Sequence, residues 1–363
     1  MSFITAIGTA VPPFRIEQSA IANFMVKAMD TNADDSRKLR TIFKASGIHY
    51  RHSVLPDYGL TGDFSFYPEN FHPFPTTEER LAIFRQHALS LSRQAITNAL
   101  NNIADVNSIT HLLVVSCTGL YAPGLDIELT HTLPLRNDVH RLCITFMGCY
   151  AAFNALKTAD AFCKADKAAR VLIVCIEMCS LHFQKDITDD NLLANALFAD
   201  GAAAVVVENT PSAAWNFSLD QFHTALLFQP EEHMAWHIGN IGFEMKLSGY
   251  VPAIIESGIG KLTDELLAHL HLTRDDIRFF AIHPGGKKIL EVIEKELRIT
   301  PGENEAAREV LRQYGNMSSP TVLFVLKYLM DRLTPADDGS RVLSFAFGPG
   351  LTLESMLLTA HHV

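Results

Sequence analysis

The sequence predicts an α/β protein built from two similar halves, on three observations. From His111 onward, strand-length apolar runs alternate with helical patterns, which is the signature of α/β layering. The second half then repeats the first. Phe279 to His283 echoes Leu112 to Ser116, and Gly315-Asn316 echoes Gly148-Cys149. The register is shared as well: Cys149 follows Ser116 by 33 residues, and Asn316 follows His283 by 33. A chain of 363 residues accommodates two domains or one large pseudo-symmetric unit, and we divide it into halves at 1–210 and 211–363. Duplication places the two Gly-X helix starts near a pseudo-dyad. Cys149 and Asn316 should therefore approach each other, with His283 delivered beside them by a strand end.

Each element follows from local pattern. Phe3 to Gly8 reads as a first strand, Pro12-Pro13 as a turn, and Arg15 to Met29 as a helix through Ile16, Ala20, Phe24 and Ala28. A short helix over Ser36 to Ala45 follows. Residues Tyr50 to Pro75, rich in Pro, Gly, His and aromatics, read as a long ordered loop covering something. Thr76 and Glu79 form a capping-box signal for an amphipathic helix running to about Leu100. Next come a strand over His111 to Cys117, a helix near Asp126 to Leu133, and an apolar strand from Leu142 entering the helix that begins at Cys149. Arg170 to Glu177 reads as a fully buried strand, Asn191 to Phe198 as a helix and Gly201 to Glu208 as a further strand. Arg341 to Ala346 and Gly350 to Leu358 echo those last two strands.

Composition narrows the function. The chain carries 30 basic and 40 acidic residues, a net charge of −10, which argues against general nucleic-acid binding and requires any anionic ligand to find a local basic patch. Six cysteines without a C-x-x-C pair indicate neither a disulfide framework nor a zinc site, so no metal is assigned and a reducing cytoplasm fits. No leader pattern and no run of about 18 apolar residues occurs, and the chain reads as soluble, without a membrane span. The sixteen histidines supply no metal motif: His233 and His237 are four apart, but Met234 stands where a zinc-hydrolase helix carries Glu.

The chemistry centres on Cys149. A lone buried cysteine is more often core than nucleophile, but this one sits in a first helical turn, where free N–H groups and the macrodipole favour thiolate. Imidazole at His283 would complete the activation, and His283 with the Asn316 amide would face a developing oxyanion. The thiol is accordingly expected to titrate below a free cysteine. With no acidic residue in these motifs, the set suits carbon–carbon condensation at least as well as hydrolysis.

Five motifs in order, Gly148-Cys149, Leu197-Phe198-Ala199-Asp200-Gly201, His283-Pro284-Gly285-Gly286, Tyr314-Gly315-Asn316-Met317-Ser318-Ser319 and Phe347-Gly348-Pro349-Gly350, resemble the type III polyketide synthases of the chalcone synthase superfamily. Members of bacterial type are the nearer likeness. The resemblance implies a thiolase fold with a layered α-β-α-β-α core, and a homodimer. It further implies coenzyme A thioesters (an acyl-CoA starter and malonyl-CoA) as substrates, with no permanently bound cofactor. The starter would load on Cys149 and be extended by repeated decarboxylative condensation assisted by His283 and Asn316, then cyclise to an aromatic or pyrone product. Phe198 and Phe243 match gatekeeper positions; Cys117, Thr118, Cys179, His182 and Ser318 match cavity-lining positions; Gly348 and Gly350 belong to a loop shaping the cyclisation pocket. Lys38, Arg40 and Lys44 are the candidates for coenzyme A phosphate contacts. Two departures stand out: Ala199 replaces a usual Gly, and Met234-Ala235-Trp236-His237 replaces a glycine-lined stretch.

Two rivals share the motifs. A ketoacyl carrier-protein synthase of the initiating type has the same Cys-His-Asn set but condenses once; His283-Pro284-Gly285-Gly286 and the Phe-Gly-Pro-Gly loop favour the polyketide synthase. A catalytically silent thiolase-fold subunit is disfavoured by intact Cys149, His283 and Asn316.

Overall fold

The computed structural model describes residues 1–100, 106–226, 234–247, 249 and 251–363. In chain order the described elements are β1 (Phe3–Ala10), β2 (Phe14–Glu17), α1 (Gln18–Ala28), α2 (Ala33–Ala45), β3 (Tyr50–Ser53), α3 (Thr77–Leu100), β4 (His111–Ser116), α4 (Leu125–Thr132), β5 (His140–Thr145), α5 (Ala151–Ala165), β6 (Arg170–Met178), α6 (Asp189–Leu197) and β7 (Asp200–Glu208). The second half adds β8 (Trp215–Leu226), β9 (Met234–Gly239), β10 (Gly242–Leu247), α7 (Val251–His269), β11 (Ile277–Ile282), α8 (Lys287–Leu297), α9 (Glu305–Tyr314), α10 (Thr321–Met330), β12 (Arg341–Gly348) and β13 (Thr352–His362).

The repeat in the sequence becomes a repeat in the sheet. Nine strands run in the order β11-β12-β13-β8-β1-β7-β6-β4-β5, and β1 pairs with β8 at the seam between halves. Outward from that seam both halves show antiparallel, antiparallel, then parallel pairing: β1-β7, β7-β6 and β6-β4 on one side, β8-β13, β13-β12 and β12-β11 on the other. α5 and α10 occupy equivalent places, and each touches strands of both halves. Because β6 is covered on both faces, its run from Val171 to Met178 is buried throughout. β5 is the exception: it pairs with β4 on one side, forms the sheet edge, and leaves Leu142 41% exposed.

Two local expectations are corrected. Phe14–Glu17 is a strand rather than the start of a helix, since it pairs antiparallel with Tyr50–Ser53 and α1 begins only at Gln18. Asn316 does not open a helix: Gly315 turns with φ of 71°, Asn316 bridges to Phe198, and α10 starts at Thr321 behind Pro320. His237 lies on a β-strand, and His233 falls outside the described residues. The long loop after Tyr50 is ordered from within. Asp57 accepts the backbone N–H groups of Ser65, Phe66 and Tyr67 (3.0, 2.9 and 3.0 Å), while Tyr58, Tyr67 and Phe71 pack on Phe24 of α1. The capping box at α3 forms, with Glu79 accepting from Thr76 N–H at 2.7 Å and Thr76 Oγ1 accepting from Glu79 N–H at 3.3 Å.

Candidate active site

Cys149 stands in a single 3-10 turn, Gly148–Tyr150, between β5 and α5. Gly148 makes the turn with φ of +73°, and a Cβ there would lie 2.2 Å from Pro349 Cδ. The loop Gly348-Pro349-Gly350 therefore seats directly on the turn that presents Cys149. On the other side, Gly148 N–H donates to Cys117 Sγ at 3.1 Å.

The duplication brings the expected partners to the same cavity. Cys149, His283 and Asn316 line it together with Cys117, Thr118, Cys179, Phe198, Ser318 and Gly348. Asn316 is tied on every side. Its N–H donates to Leu197 O (2.9 Å) and its carbonyl accepts from Ala199 N–H (2.8 Å). Its Oδ1 accepts from Ser318 N–H (2.8 Å) and its Nδ2 donates to Gly285 O (3.3 Å). Ser318 adopts φ of +57° to supply that N–H, a conformation uncommon outside glycine that clusters at functional sites. Cys149 Sγ lies 4.0 Å from Asn316 Oδ1.

His283 is held through its backbone, N–H to Phe345 O at 2.8 Å, at the end of β11. Its ring is 1% exposed, and neither nitrogen has a hydrogen-bond partner. Burial pushes the imidazole down to about 3 and the Cys149 thiol up to about 12, the latter opposed by the neighbouring side chains of Ser318 and Asn316. Burial thus pushes both groups toward their neutral forms, against the expected thiolate–imidazolium pair.

Sequence reasoning missed Glu177, a carboxylate between Ile176 and Met178 in an otherwise apolar run of β6. It is fully buried beneath the cavity and accepts from Cys117 N–H (2.9 Å), Thr118 Oγ1 (2.7 Å) and Ser319 Oγ (2.7 Å). Burial still pushes its carboxyl up to about 7. A carboxylate inside a strand of valines, leucines and isoleucines was the available signal. Its role is to brace the strand ends that carry Cys117 and Thr118.

The hairpin β9–β10 forms a roof. His182 pins it as a neutral ring, with Nε2 2.7 Å from Thr118 O and Nδ1 accepting Phe243 N–H at 3.0 Å; Phe243 stacks on the same ring at 4.2 Å. Trp236 Nε1 donates to Cys117 O at 2.8 Å. His182 and Phe243 line an adjoining chamber rather than the cavity of Cys149. Gly350 closes the 348–350 loop in a left-handed turn. Lys38 is paired with Asp189 at 2.6 Å, Arg40 bonds Asn23 of α1, and Lys44 is exposed in the last turn of α2.

The chain is similar to known proteins. The model of the chalcone and stilbene synthase N-terminal domain matches residues 1–211, and that of the C-terminal domain matches 219–361. A probable polyketide synthase 1 from Dictyostelium discoideum is 33% identical over 374 residues, covering 98% of this chain and 11% of that relative's length. The crystal structure of the C-terminal type III polyketide synthase domain of Steely1, a type I/III hybrid from Dictyostelium, superposes with a TM-score of 0.91 at 31% identity, over 100% of this chain and 99% of that one. PKS-I from the brown alga Ectocarpus siliculosus gives 0.92 at 30% identity, over 100% and 98%. The two-fold repeated α/β architecture, with its cysteine turn, buried imidazole and clamped amide, thus has a thiolase-like fold, and the chain belongs to the chalcone and stilbene synthase family of type III polyketide synthases.

Proposed function

We propose that the protein is a type III polyketide synthase acting on coenzyme A thioesters, with Cys149 as acyl carrier and His283 and Asn316 as the groups that hold the enolate. The observation carrying this reading is the imidazole of His283, buried in the cavity of Cys149 with both nitrogens unspent. A neutral, unpartnered ring accepts the thiol proton as Cys149 attacks the starter thioester and expels coenzyme A thiolate, which is then protonated. Malonyl-CoA next loses its carboxylate as CO₂. The electron pair left behind forms an enolate whose oxygen faces a His283 N–H and Asn316 Nδ2, since Oδ1 is already committed to Ser318. The enolate carbon attacks the Cys149 thioester, the carbon–sulfur bond breaks, and the chain, two carbons longer, resides on coenzyme A until it reloads.

An apolar channel with about 340 Å³ of free volume supports the assignment of substrate. It shares Leu247, Gly285 and Ile289 with the reaction cavity, is walled by α2 and α6, and carries two exposed lysines, Lys287 and Lys288, in the first turn of α8. In a chain of net charge −10, this pair at a helix N-terminus is a local attractor for coenzyme A phosphates. Homodimerisation through the exposed edge of β5 belongs to the same proposal, since an unpaired edge bearing Leu142 is a template for a second strand.

The test is intact-protein mass spectrometry after mixing with acyl-CoA. Parent protein gains one acyl mass on Cys149 and makes extended products with malonyl-CoA; Cys149→Ala, a small-for-small change, keeps its fold and does neither. Chain extension by the purified Cys149→Ala protein would overturn the reading.

A further inference from the structure

Arg51 of β3 and Gln18, the first residue of α1, have no part in the chemistry described so far, yet each is only 5% exposed, buried against the C-terminal end of α6. Burial pulls the Arg51 guanidinium down to about 10, which leaves it cationic at neutral pH. A cation out of water has to be met by negative charge or by hydrogen-bond acceptors. The nearby carboxylate of Asp200 is committed elsewhere, to the N–H groups of Ser180 (2.7 Å) and Val54 (2.9 Å) and to Ser180 Oγ (2.6 Å). What meets Arg51 instead is the end of a helix.

An α-helix leaves its last carbonyls without internal partners, at the negative end of its dipole. At the end of α6 these carbonyls are taken one by one. Arg51 Nη1 donates to Asn195 O (2.8 Å) and to Phe198 O (2.6 Å), and Gln18 Nε2 donates to Ala196 O (2.7 Å). The two donors are joined to each other, Arg51 Nε to Gln18 Oε1 at 2.8 Å. The carbonyl between them, Leu197 O, accepts from Asn316 N–H at 2.9 Å. Gly315 rests on the same arginine: a Cβ there would stand 2.9 Å from Arg51 Cγ and 3.1 Å from Cδ.

Asn316 lies on a turn between α9 and α10, so the precision of its amide has to come from what that turn is bonded to. Phe198, which lines both the reaction cavity and the chamber beside it, is tied into the same clamp through its carbonyl. We infer that Arg51, braced by Gln18, is a positioning residue for Asn316: it fixes the end of α6 to which the Asn316 main chain is bonded, and so sets where Nδ2 stands toward the enolate oxygen. This rests on Asn316 holding the enolate. Lysine in place of Arg51 keeps the charge but not the planar fork that reaches Gln18 and the carbonyls together.

The test separates the two half-reactions. Release of CO₂ from malonyl-CoA and acylation of Cys149 by a starter thioester are measured in the parent, Arg51→Lys, Asn316→Ala and the double variant. Arg51→Lys slows CO₂ release by about 10- to 100-fold, as displacement of a reacting group by up to about 1 Å does, at little change in KM, while acylation stays within about threefold of the parent. In the Asn316→Ala background the same substitution lowers CO₂ release by no more than about twofold, because the group it positions is gone. Gln18→Met keeps the cation, removes the bonds to Ala196 O and Arg51 Nε, and repeats this pattern at a smaller loss; it carries the test if Arg51→Lys does not fold. Full additivity in the double variant, equal losses in both half-reactions, or unchanged CO₂ release beside an impaired Asn316→Ala would each overturn the inference. Unchanged CO₂ release in Asn316→Ala itself would overturn the enolate reading, and the inference with it.

Discussion

Replacing Gly148 by alanine tests the seating of the Cys149 turn on the loop that faces it. At φ of +73° an L-residue costs about 1–2 kcal/mol relative to glycine. The new methyl would stand 2.2 Å from Pro349 Cδ and 2.9 Å from Cγ, where ordinary contact begins at 3.4 Å, so the ring must recede by the difference, 1.2 Å. A proline cannot swing its Cδ aside by rotation. The backbone of 348–350 has to move, at the roughly 1–3 kcal/mol typical of overpacking. The total is about 2–5 kcal/mol. Gly350→Ala is the built-in comparison: its φ is +71°, but the nearest atoms to its Cβ are 3.9 and 4.0 Å away, so only the backbone cost of about 1–2 kcal/mol applies. Urea unfolding should rank parent, Gly350→Ala, then Gly148→Ala. Stopped-flow acylation of Cys149 should fall about 100-fold in Gly148→Ala, as a 1 Å misplacement of a reacting group does, and by much less in Gly350→Ala. Parent-like stability and acylation in Gly148→Ala, or equal behaviour of the two variants, would refute the description of this turn.

Asn316→Ala should slow decarboxylation of malonyl-CoA by roughly 10²–10³, as loss of one oxyanion donor does, while starter loading on Cys149 suffers less; equal losses in both half-reactions would make Asn316 a general structural residue. Lys287→Ala combined with Lys288→Ala should raise KM for malonyl-CoA severalfold with little change in kcat, and should leave an N-acetylcysteamine thioester, which has no phosphates, unaffected. His283 in the fold lies at about 3 against an ordinary 6.5, so its neutral form is the one the fold accepts. Its contribution is present above pH 6.5 and lost as pH falls toward 3, at about 1.4 kcal/mol per pH unit. The parent should therefore lose about 3 kcal/mol more than His283→Gln between pH 6.5 and 4 in urea titrations, and parallel pH curves would contradict the buried neutral ring.

The half of the fold that rests on repetition was readable before any coordinates. The shared spacing of 33 residues anticipates that Cys149, His283 and Asn316 meet at one cavity, although Asn316 reaches it from a turn and a bridge to Phe198 rather than from a helix start. What could not be read depends on contacts between distant segments. Leu142-Cys143-Ile144 has the composition of a buried strand, and only sheet order makes it an edge. Phe14–Glu17 has helical spacing, and only its partner Tyr50–Ser53 makes it a strand. The expected lowering of the Cys149 pKa rests on an imidazolium at His283, and that depends on how deeply both groups are buried, which pushes the thiol up and the imidazole down. Glu177 was overlooked because a periodicity search averages over a single charged position in an apolar run.

One backbone contact has a wider reach. Phe198, in the wall between the two chambers, and Asn316, at the reacting end, sit on adjacent rungs of a short ladder: Asn316 N–H donates to Leu197 O, and Ala199 N–H donates to Asn316 O. The main chain at 198 is thereby as fixed as the amide it braces, while the phenyl ring hangs free of the ladder. A lineage of such enzymes can exchange that ring for larger or smaller groups, generation after generation, and change what fits inside without disturbing the amide at Asn316. Chemical novelty and catalytic fidelity are borne by different atoms of the same residue pair, so diversification of products does not have to be preceded by a period of impaired catalysis.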